Sequence, residues 1–187
     1  VERFDIMDRE KFVECIEKHN VGEIYHLVSL LSAKGEQMPD LTWDVNLVGL
    51  KMVLDVAVEK KIKVFWPSSI AAFGPTTPRN NTPQNTVLEP TTMYGVTKVA
   101  GELLCRYYTN KYNLDVRTLR YPGLVSWKAE PGGGTTDYAV AIFYEAIKNG
   151  RYECFVSKDT VLPMMYMDDA IRGTLELMDT PREKLEK

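Results

Sequence analysis

Tyr94 and Lys98 are four residues apart in the stretch TTMYGVTKVAGELLCRYY, which is predicted to open a helix. Residues at this spacing lie on the same helix face, so the phenol and the ammonium should be neighbours. A nearby cation favours the phenolate and lowers the pKa of a tyrosine from its usual value near ~10. Such a tyrosine can exchange a proton with a substrate hydroxyl. The spacing alone is a weak signal. It recurs in two other pairs, Tyr107 with Lys111 and Tyr144 with Lys148.

The elements around this pair alternate between strand and helix. Asp8 is a predicted N-cap for a short helix whose apolar face includes Phe12, Val13 and Ile16. Strands alternating with helices of 10–20 residues predict an α/β fold, in which a parallel sheet is connected by right-handed crossovers. The predicted strands are 23–29, 62–69 and 114–123, and the predicted helices are 40–60 and 94–112.

The chain beyond residue 123 no longer shows the regular alternation of strands and helices. A glycine-rich loop precedes a predicted helix at 137–148, and YECFVS at 152–157 is predicted as an edge strand. LPMMYM at 162–167 is predicted to be extended, and a closing helix is predicted to be capped by Asp168 or Asp169. We therefore predict a sheet domain over 1–125 and a small lobe over 126–187 that covers one end of the sheet.

The predicted topology places chemistry-bearing residues at one edge of the sheet. Ligand sites of open parallel sheets lie beyond the carboxyl ends of the strands. Ser68 and Ser69 end one strand, RYPGL ends the next, and Tyr94 begins the helix between them. This position favours Tyr94 over the other tyrosines with the same spacing. The loop at 73–93 leads directly into Tyr94, as a lid or substrate loop would.

Composition excludes several classes of function. The 187 residues carry a formal charge of -3 with a pI near 5.5, which argues against nucleic acid or an anionic membrane as partner. No apolar run approaches the roughly 18–20 residues of a membrane span, and the charged opening VERFDIMDREKF is not a signal peptide. Cys15, Cys105 and Cys154 are predicted to be buried thiols in a reducing, intracellular compartment, which is the cytoplasm or the mitochondrial matrix. His19 and His26 are too few for a zinc site, and His26 is predicted to pack at a strand end.

Three segments together resemble a known family. PSSIAAFG at 67–74, YGVTK at 94–98 and RYPG at 120–123 are similar to motifs of the extended short-chain dehydrogenases/reductases, which include NAD-dependent sugar-nucleotide epimerases and dehydratases. The resemblance implies a Rossmann-like parallel sheet. It also implies that Ser69, five residues before Gly74, is catalytic together with Tyr94 and Lys98.

The same resemblance implies a set of residues that bind NAD. The pair Asp5 and Ile6 matches the residues that contact adenine, and HLVS at 26–29 matches a segment that lines the cofactor, although Val28 and Ser29 replace two small alanines. Asn46 matches the asparagine of a family helix, and Leu124 lies where the backbone meets the nicotinamide amide. The implied cofactor-binding residues are Asp5, Ile6, Leu27, Ser29, Asn46, Tyr94, Lys98 and Leu124.

Four further segments resemble one subfamily, the short-chain-type L-threonine 3-dehydrogenases. They are LLSAKGE at 30–36, GPTTPRN at 74–80, EPGGGTTDYA at 130–139 and LPMMYM at 162–167. The resemblance implies oxidation of the 3-hydroxyl of L-threonine to 2-amino-3-oxobutanoate, with hydride transfer to NAD. The implied substrate-binding residues are Ser32, Ser68, Ser69, Tyr94 and Thr136. Tyr138 and Trp127 are expected either to shape the pocket or to pack under the loop.

The sequence also departs from the family pattern. It contains no Gly-x-x-Gly-x-x-Gly turn and opens at what corresponds to the third strand, so both ends of the family fold are expected to be missing. NAD rather than NADP is implied by the subfamily alone, since the acidic residue that distinguishes them lies in the unmatched part. Two alternatives stay open: a nucleotide-sugar epimerase or dehydratase, and a non-catalytic relative that has lost cofactor binding. The resemblance also implies a homodimer in which the helices at 40–60 and 94–112 pair with their copies.

Overall fold

The computed structural model describes residues 1–128, 130–132 and 134–185. Ala129, Gly133, Glu186 and Lys187 lie outside the described residues, and with them parts of the predicted lobe at 126–187 and of the glycine-rich segment at 130–139. The strands are β1 (Glu23–Tyr25), β2 (Lys63–Ser69), β3 (Val116–Tyr121), β4 (Gly123–Val125) and β5 (Met164–Tyr166). The helices are α1 (Arg9–His19), α2 (Ser32–Gln37), α3 (Pro39–Trp43), α4 (Gly49–Lys60), α5 (Met93–Tyr112), α6 (Tyr138–Asn149) and α7 (Met167–Asp179). A π-helical turn over Asp44–Val48 joins α3 to α4, and 3₁₀ turns cover Ile70–Ala72 and Arg182–Lys184.

Three parallel strands form the sheet in the order β1-β2-β3. The chain passes from β1 to β2 through α2, α3 and α4, and from β2 to β3 through α5. Ser69 and Tyr121 are register partners at the carboxyl ends of β2 and β3, so the loops that follow both strands leave the same edge. The predicted α/β class, a Rossmann-like parallel sheet with flanking helices, is confirmed. Strands β4 and β5 form a separate parallel pair. The division at residue 125 stays a prediction.

The core lies between the sheet and helices α4 and α5. Leu50, Val53 and Leu54 of α4 are fully buried, and they belong to one cluster with Val64 and Trp66 of β2. Burial of apolar surface at about 25 cal/mol per Å² holds these layers together. The cluster therefore fixes the two elements between which the catalytic candidates are placed.

Helix α5 approaches β2 unusually closely at Gly101. A Cβ atom at this position would lie 2.3 Å from Cη2 of Trp66, well inside van der Waals contact. Glycine in a helix interior costs roughly 0.5–1 kcal/mol relative to alanine. The absent side chain is what lets the helix carry Lys98 over the Trp66 ring, with Nζ 4.6 Å from the ring centroid.

The first half of the chain contains two details that the sequence did not predict. The predicted strand at 23–29 forms only over Glu23–Tyr25, and the His26 N–H adds one further hydrogen bond to the Phe65 carbonyl at 2.9 Å. Beyond it, the backbone of Leu30 is hydrogen-bonded by the Asn46 side chain. The predicted helix at 40–60 is confirmed, because the chain is helical from Pro39 to Lys60, and it contains a π-helical turn around Asn46 that the sequence did not predict. Such turns add one residue to the helical repeat and are frequent at functional sites.

The second half contains two further corrections. No strand forms at the described residues 152–157, where YECFVS was predicted to be an edge strand. Helix α7 begins after Tyr166, so neither Asp168 nor Asp169 is its N-cap. Both aspartates lie in the first turn, where a carboxylate still interacts favourably with the helix dipole. The prediction that Asp8 caps α1 is confirmed, because its side chain accepts a hydrogen bond from the Lys11 backbone N–H.

Arg117 ties the end of α7 to the sheet. Its guanidinium is paired with Asp115 and donates hydrogen bonds to the carbonyl oxygens of Leu177, Met178 and Thr180 at 2.5, 2.9 and 2.6 Å. A buried cation at a helix C-terminus satisfies carbonyls that have no intrahelical partner. The Asp115–Arg117 pair thus anchors α7 at the amino end of β3, opposite the edge that bears Ser69.

None of the helices in the described ranges is long and apolar enough to cross a membrane. The three cysteines are free thiols. Burial is confirmed for Cys105, whereas Cys15 is partly exposed and Cys154 is exposed. The expectation was wrong for Cys154 because the surrounding segment forms no strand and packs against little.

Candidate active site

Ser69, Tyr94 and Lys98 are brought to one corner of the sheet. Ser69 is the last residue of β2, and Tyr94 and Lys98 lie in the first two turns of α5. The start of α5 is fixed by Thr92, whose hydroxyl accepts a hydrogen bond from the Gly95 N–H at 3.1 Å. It is fixed again by Glu36 of α2, whose carboxylate accepts from the Met93 N–H at 2.5 Å. These caps satisfy amides that an isolated helix leaves unpaired.

Lys98 is a buried ammonium with defined contacts. Its side chain is only 3% exposed, and Nζ donates a hydrogen bond to the Pro67 carbonyl at 2.6 Å. Nζ lies 5.2 Å from the centroid of the Tyr94 ring. Burial lowers the pKa of Lys98 to about 8, and the charges of Cys105 and Glu102 act in the opposite direction. Burial thus opposes the ammonium form of Lys98, and nearby negative charge favours it.

The expected lowering of the Tyr94 pKa is not found in this ligand-free chain. Burial raises the pKa of Tyr94 above its usual value, and a hydrogen bond with Ser69 acts in the opposite direction. The correction has a geometric reason: the Lys98 ammonium is engaged by the Pro67 carbonyl rather than by the phenol oxygen. The hydrogen bond between Ser69 and Tyr94 places the Ser69 hydroxyl next to the Tyr94 phenol.

The two serines at the end of β2 have different partners. Ser69 Oγ accepts a hydrogen bond from the Ala71 N–H at 3.1 Å and caps the following 3₁₀ turn. Ser68 is 2% exposed, and its hydroxyl donates to Glu102 at 2.5 Å. Successive strand residues point to opposite faces. The hydroxyl of Ser68, a predicted substrate ligand, is thus committed to a protein carboxylate.

Asn46 holds the cofactor-side segment against the catalytic helix. Its Oδ1 accepts from the Leu30 N–H at 2.7 Å, and its Nδ2 donates to the Leu30 carbonyl at 3.1 Å. Nδ2 also donates to Thr97 Oγ1 at 3.4 Å, and Thr97 in turn donates to the Tyr94 carbonyl at 2.8 Å. Asn46 is buried behind the site, so the structure gives this predicted cofactor residue a positioning geometry.

A cavity of about 780 Å³ collects most of the predicted site residues. This volume is within the range of roughly 300–1,000 Å³ typical of small-molecule sites. Asp5, Ile6 and Asn46 do not line it; the Asp5 carboxylate accepts from the Met7 N–H at 2.9 Å, and Ile6 packs near Gly49. The predicted residues on its wall are Leu27, Ser29, Ser32, Ser68, Ser69, Tyr94, Lys98, Leu124 and Thr136.

The family is decided by comparison with known proteins. The family model described as NAD dependent epimerase/dehydratase family matches residues 1–187. The chain belongs to this epimerase/dehydratase family.

Within the epimerase/dehydratase family, the chain is similar to L-threonine 3-dehydrogenases, as the sequence segments predicted. The mitochondrial enzyme of Bos taurus is 52% identical over 181 residues, which are 97% of this chain and 48% of the bovine protein. A monomeric L-threonine 3-dehydrogenase from a metagenome has a solved structure with 52% identity and a TM-score of 0.96, matching 99% of this chain and 60% of that one. An uncharacterized epimerase/dehydratase of Staphylococcus haemolyticus is 50% identical over 98% of this chain and 58% of its own length. The chain thus spans about half to three-fifths of these relatives.

The epimerase/dehydratase cavity fits the nicotinamide end of a dinucleotide. Lys98 offers a buried cation beside Tyr94, and Leu27, Ser29 and Leu124 line the same cavity. His26 is 3% exposed, and its Nε2 has no hydrogen-bond partner among the described residues. Burial, assisted by the charge of Lys98, lowers the pKa of His26 to about 4, so this imidazole is neutral at physiological pH. The prediction that His26 packs at a strand end is confirmed.

Asp137 is a further candidate in this family member that the sequence analysis did not name. Asp137 lies on the cavity wall beside Thr136, and its carboxylate accepts a hydrogen bond from the Gly134 N–H at 2.8 Å. A signal was present, since an acid directly after GGGTT at the start of a helix brings a carboxylate to the loop that faces the sheet edge. The two aromatic residues expected near the pocket do not line it: Trp127 is 70% exposed, and Tyr138 packs edge-on against Phe155.

Proposed function

We propose that this protein oxidises the 3-hydroxyl of L-threonine to 2-amino-3-oxobutanoate, with NAD as hydride acceptor. The observation that supports it most is the convergence of Ser69, Tyr94 and Lys98 in one buried corner of the cavity. The similarity of about half of all residues to L-threonine 3-dehydrogenases supports the choice of substrate. Because the chain spans only part of these relatives, the proposal concerns the whole protein in which this segment works.

In this proposal Tyr94 is the general base. Its phenolate removes the proton of the substrate hydroxyl, while Ser69 hydrogen-bonds the same oxygen and orients it toward Tyr94. The Lys98 ammonium favours the phenolate and stabilises the negative charge that develops on this oxygen. NAD, when bound, accepts the hydride from C3. Lys98 is also the residue we assign to the nicotinamide ribose hydroxyls, because its ammonium has donors to spare beyond Pro67.

We propose that the other parts of NAD contact the residues that the family resemblance implies. Leu27 and Ser29 line the cavity on the β1 side, and Leu124 lies at the start of β4 on the opposite side. Asp5 and Ile6 lie before α1, outside the cavity, and their contact with adenine stays a prediction. Asn46 acts in this proposal through Leu30, by holding the segment that carries Ser29.

The ammonium and carboxylate of threonine need polar partners. We propose hydroxyl donors for the carboxylate, from Thr136 and Ser32, and the Asp137 carboxylate for the ammonium. Asp137 is the only acidic residue among the described residues that line the cavity, so it is the natural partner of a cationic group.

Replacement of Asp137 by asparagine is expected to raise the KM for threonine at least about tenfold, because an ion pair with a charged partner contributes about 1.5–3 kcal/mol. The side chain keeps its size and an oxygen acceptor for the Gly134 N–H. The KM for NAD should stay within about twofold. Steady-state kinetics with each substrate varied separately provide the measurement, and an unchanged threonine KM would remove Asp137 from this role.

The direct test of the proposed function is NADH formation by the protein produced from its complete coding sequence. NAD would be mixed with L-threonine in one arm and with a UDP-sugar mixture in the other. NADH with threonine alone would support the proposal. No NADH with threonine, from folded protein that binds NAD, would contradict it.

The closest alternative is an epimerase or dehydratase acting on a nucleotide-linked sugar, as the name of the staphylococcal relative allows. A nucleotide diphosphate requires basic side chains near its phosphates. Among the described residues that line the cavity, Lys98 is the only cation. This charge pattern favours a small zwitterionic substrate. The intact Ser69, Tyr94 and Lys98 also argue against a non-catalytic relative.

We further propose a homodimer formed by the faces of α3, α4 and α5. These helices flank a groove of about 520 Å³ lined mainly by apolar side chains. Trp43, Leu103 and Tyr107 on this face are 42%, 54% and 51% exposed. Exposed apolar patches of this kind mark interaction sites. We expect twice the chain mass in multi-angle light scattering, whereas a single-chain mass would align this protein with its monomeric relative.

A further inference from the structure

Glu102 and Arg120 form an ion pair directly behind the catalytic residues. Arg120 donates from Nε to Glu102 Oε1 at 2.7 Å and from Nη2 to Oε2 at 2.6 Å. Each side chain is only 16% exposed. A two-pronged contact of this kind fixes geometry as well as charge. Glu102 lies in α5 about two turns after Tyr94, and Arg120 lies near the carboxyl end of β3, so the pair links the helix to the strand.

The same carboxylate also holds the end of β2. Ser68 donates its hydroxyl to Glu102 Oε1 at 2.5 Å. The neighbours of Ser68 are Pro67, whose carbonyl accepts the Lys98 hydrogen bond, and Ser69. A shift of Ser68 would therefore move both the partner of the Lys98 ammonium and the hydroxyl that faces Tyr94.

Arg120 extends the connection to the loop at 73–92. Its Nη1 donates to the Gln84 carbonyl at 3.0 Å, and its guanidinium carbon lies 5.5 Å from the centroid of the Phe73 ring. This loop leads from the strand end into α5. Strand end, loop and helix thus share one charged pair.

Glu102 lies four residues after Lys98 in α5, so the carboxylate and the ammonium share one face of the helix. The titratable groups around Lys98 are Tyr94, Glu102 and Cys105 on its own helix and His26 at the end of β1. Burial keeps the Cys105 thiol protonated by raising its pKa to about 12, and it keeps His26 neutral. Glu102 is then the negative charge that favours the Lys98 ammonium.

We propose that Glu102 is a positioning residue of the active site, which holds Ser69 and the Pro67 carbonyl in place through Ser68 and maintains the ammonium form of Lys98 through its charge. The kinetic part of this inference rests on the proposed function. The positional and electrostatic part does not, since it concerns groups that meet in the chain without substrate.

A merely structural ion pair is available for comparison in the same strand. Asp115 and Arg117 also form a buried acid–arginine pair, with Oδ2 and Nη2 at 2.8 Å, but they anchor α7 at the amino end of β3. Asp115→Asn and Glu102→Gln remove the same charge from similar pairs. Only Glu102→Gln acts at the catalytic edge.

The experiment compares these two variants with the wild-type protein, expressed from the complete coding sequence. The first readout is the titration of Lys98, followed by NMR of ¹³C-labelled lysine side chains with Lys98→Met to identify its signal. The second readout is kcat for threonine oxidation against pH. Melting temperatures report the structural cost of each substitution.

Glu102→Gln is expected to titrate Lys98 at lower pH and to lower kcat about tenfold or more, because misplaced groups lose near-attack geometry. Asp115→Asn should lower the melting temperature without moving either readout. An unchanged Lys98 titration and kcat in Glu102→Gln would overturn the inference. If Glu102→Gln does not fold, Ser68→Ala provides the test, because this variant keeps the Glu102–Arg120 ion pair. A lower kcat with an unchanged Lys98 titration would support the positioning role of Glu102. A wild-type kcat would overturn it.

The NMR titration distinguishes this inference from the proposed function. A wild-type protein that fails to oxidise threonine contradicts the proposed function. In that case a Lys98 signal that moves in Glu102→Gln and not in Asp115→Asn still supports the inference, and a signal that moves in neither overturns it.

Discussion

Tyr94→Phe is expected to lower kcat for threonine oxidation by about 10²- to 10⁴-fold, the range that general acid–base catalysis contributes. The substitution removes one oxygen atom and no apolar contact. Burial raises the pKa of Tyr94, so in the wild-type protein the phenolate has to be favoured by its surroundings, of which the Lys98 ammonium is the nearby cation on the described cavity wall. Stopped-flow and steady-state measurements of NADH absorbance provide the test.

Tyr107→Phe is the matched control, because Tyr107 has the same spacing to a lysine and is 51% exposed, on a face away from the cavity. It should retain full activity. The melting temperature of Tyr94→Phe should stay within a few degrees of the wild-type value. Retention of activity within a few-fold in Tyr94→Phe would remove this residue from the role of base and would favour a different proton acceptor.

Lys98→Met is expected to lower kcat at neutral pH by about a hundredfold, to raise the apparent KM for NAD, and to move the acid limb of the pH profile to higher pH. The reason is that the ammonium favours the phenolate, so its loss makes Tyr94 harder to deprotonate. Methionine retains most of the apolar stem that packs over Trp66. The pH dependence of kcat/KM provides the measurement, with Lys111→Met as the exposed control.

The same variant should lose no stability at pH 7. Burial lowers the pKa of Lys98 from 10.5 to about 8, so the folded chain holds this proton less tightly than the unfolded chain does. The charged lysine therefore costs stability below about pH 8, and the cost disappears as the pH rises toward 10.5. Removal of this desolvated charge offsets the loss of the hydrogen bond that Nζ donates to the Pro67 carbonyl. A large fall in melting temperature would contradict this view of Lys98 as a group kept for function.

The convergence of Ser69, Tyr94 and Lys98 was predictable from the sequence because it depends on topology. Parallel strands end at the same edge, and a helix that follows such an edge begins there. Ser69 ends β2 and Tyr94 begins α5, so their meeting needs no knowledge of side-chain packing. The prediction of the sheet succeeded for the same reason.

Details that depend on tertiary hydrogen bonds were beyond the sequence. The π-helical turn contains Asn46, whose amide clamps Leu30, 16 residues away, and no local pattern encodes that pairing. The raised pKa of Tyr94 follows from its burial. Hydrophobic periodicity gives no information about either feature.

The contact between Gly101 and Trp66 limits how this protein can change over time. Any side chain at 101 collides with the indole, with Cβ 2.3 Å from Cη2, although alanine would otherwise stabilise the helix. A smaller residue at 66 would admit that alanine but would also remove the aromatic ring beneath Lys98. Each single substitution alone would disturb this contact, so residues 101 and 66 can be substituted only together. We therefore regard them as one inherited unit, and random mutagenesis that selects for stability should leave Gly101 untouched while it replaces a glycine in open space such as Gly173 of α7.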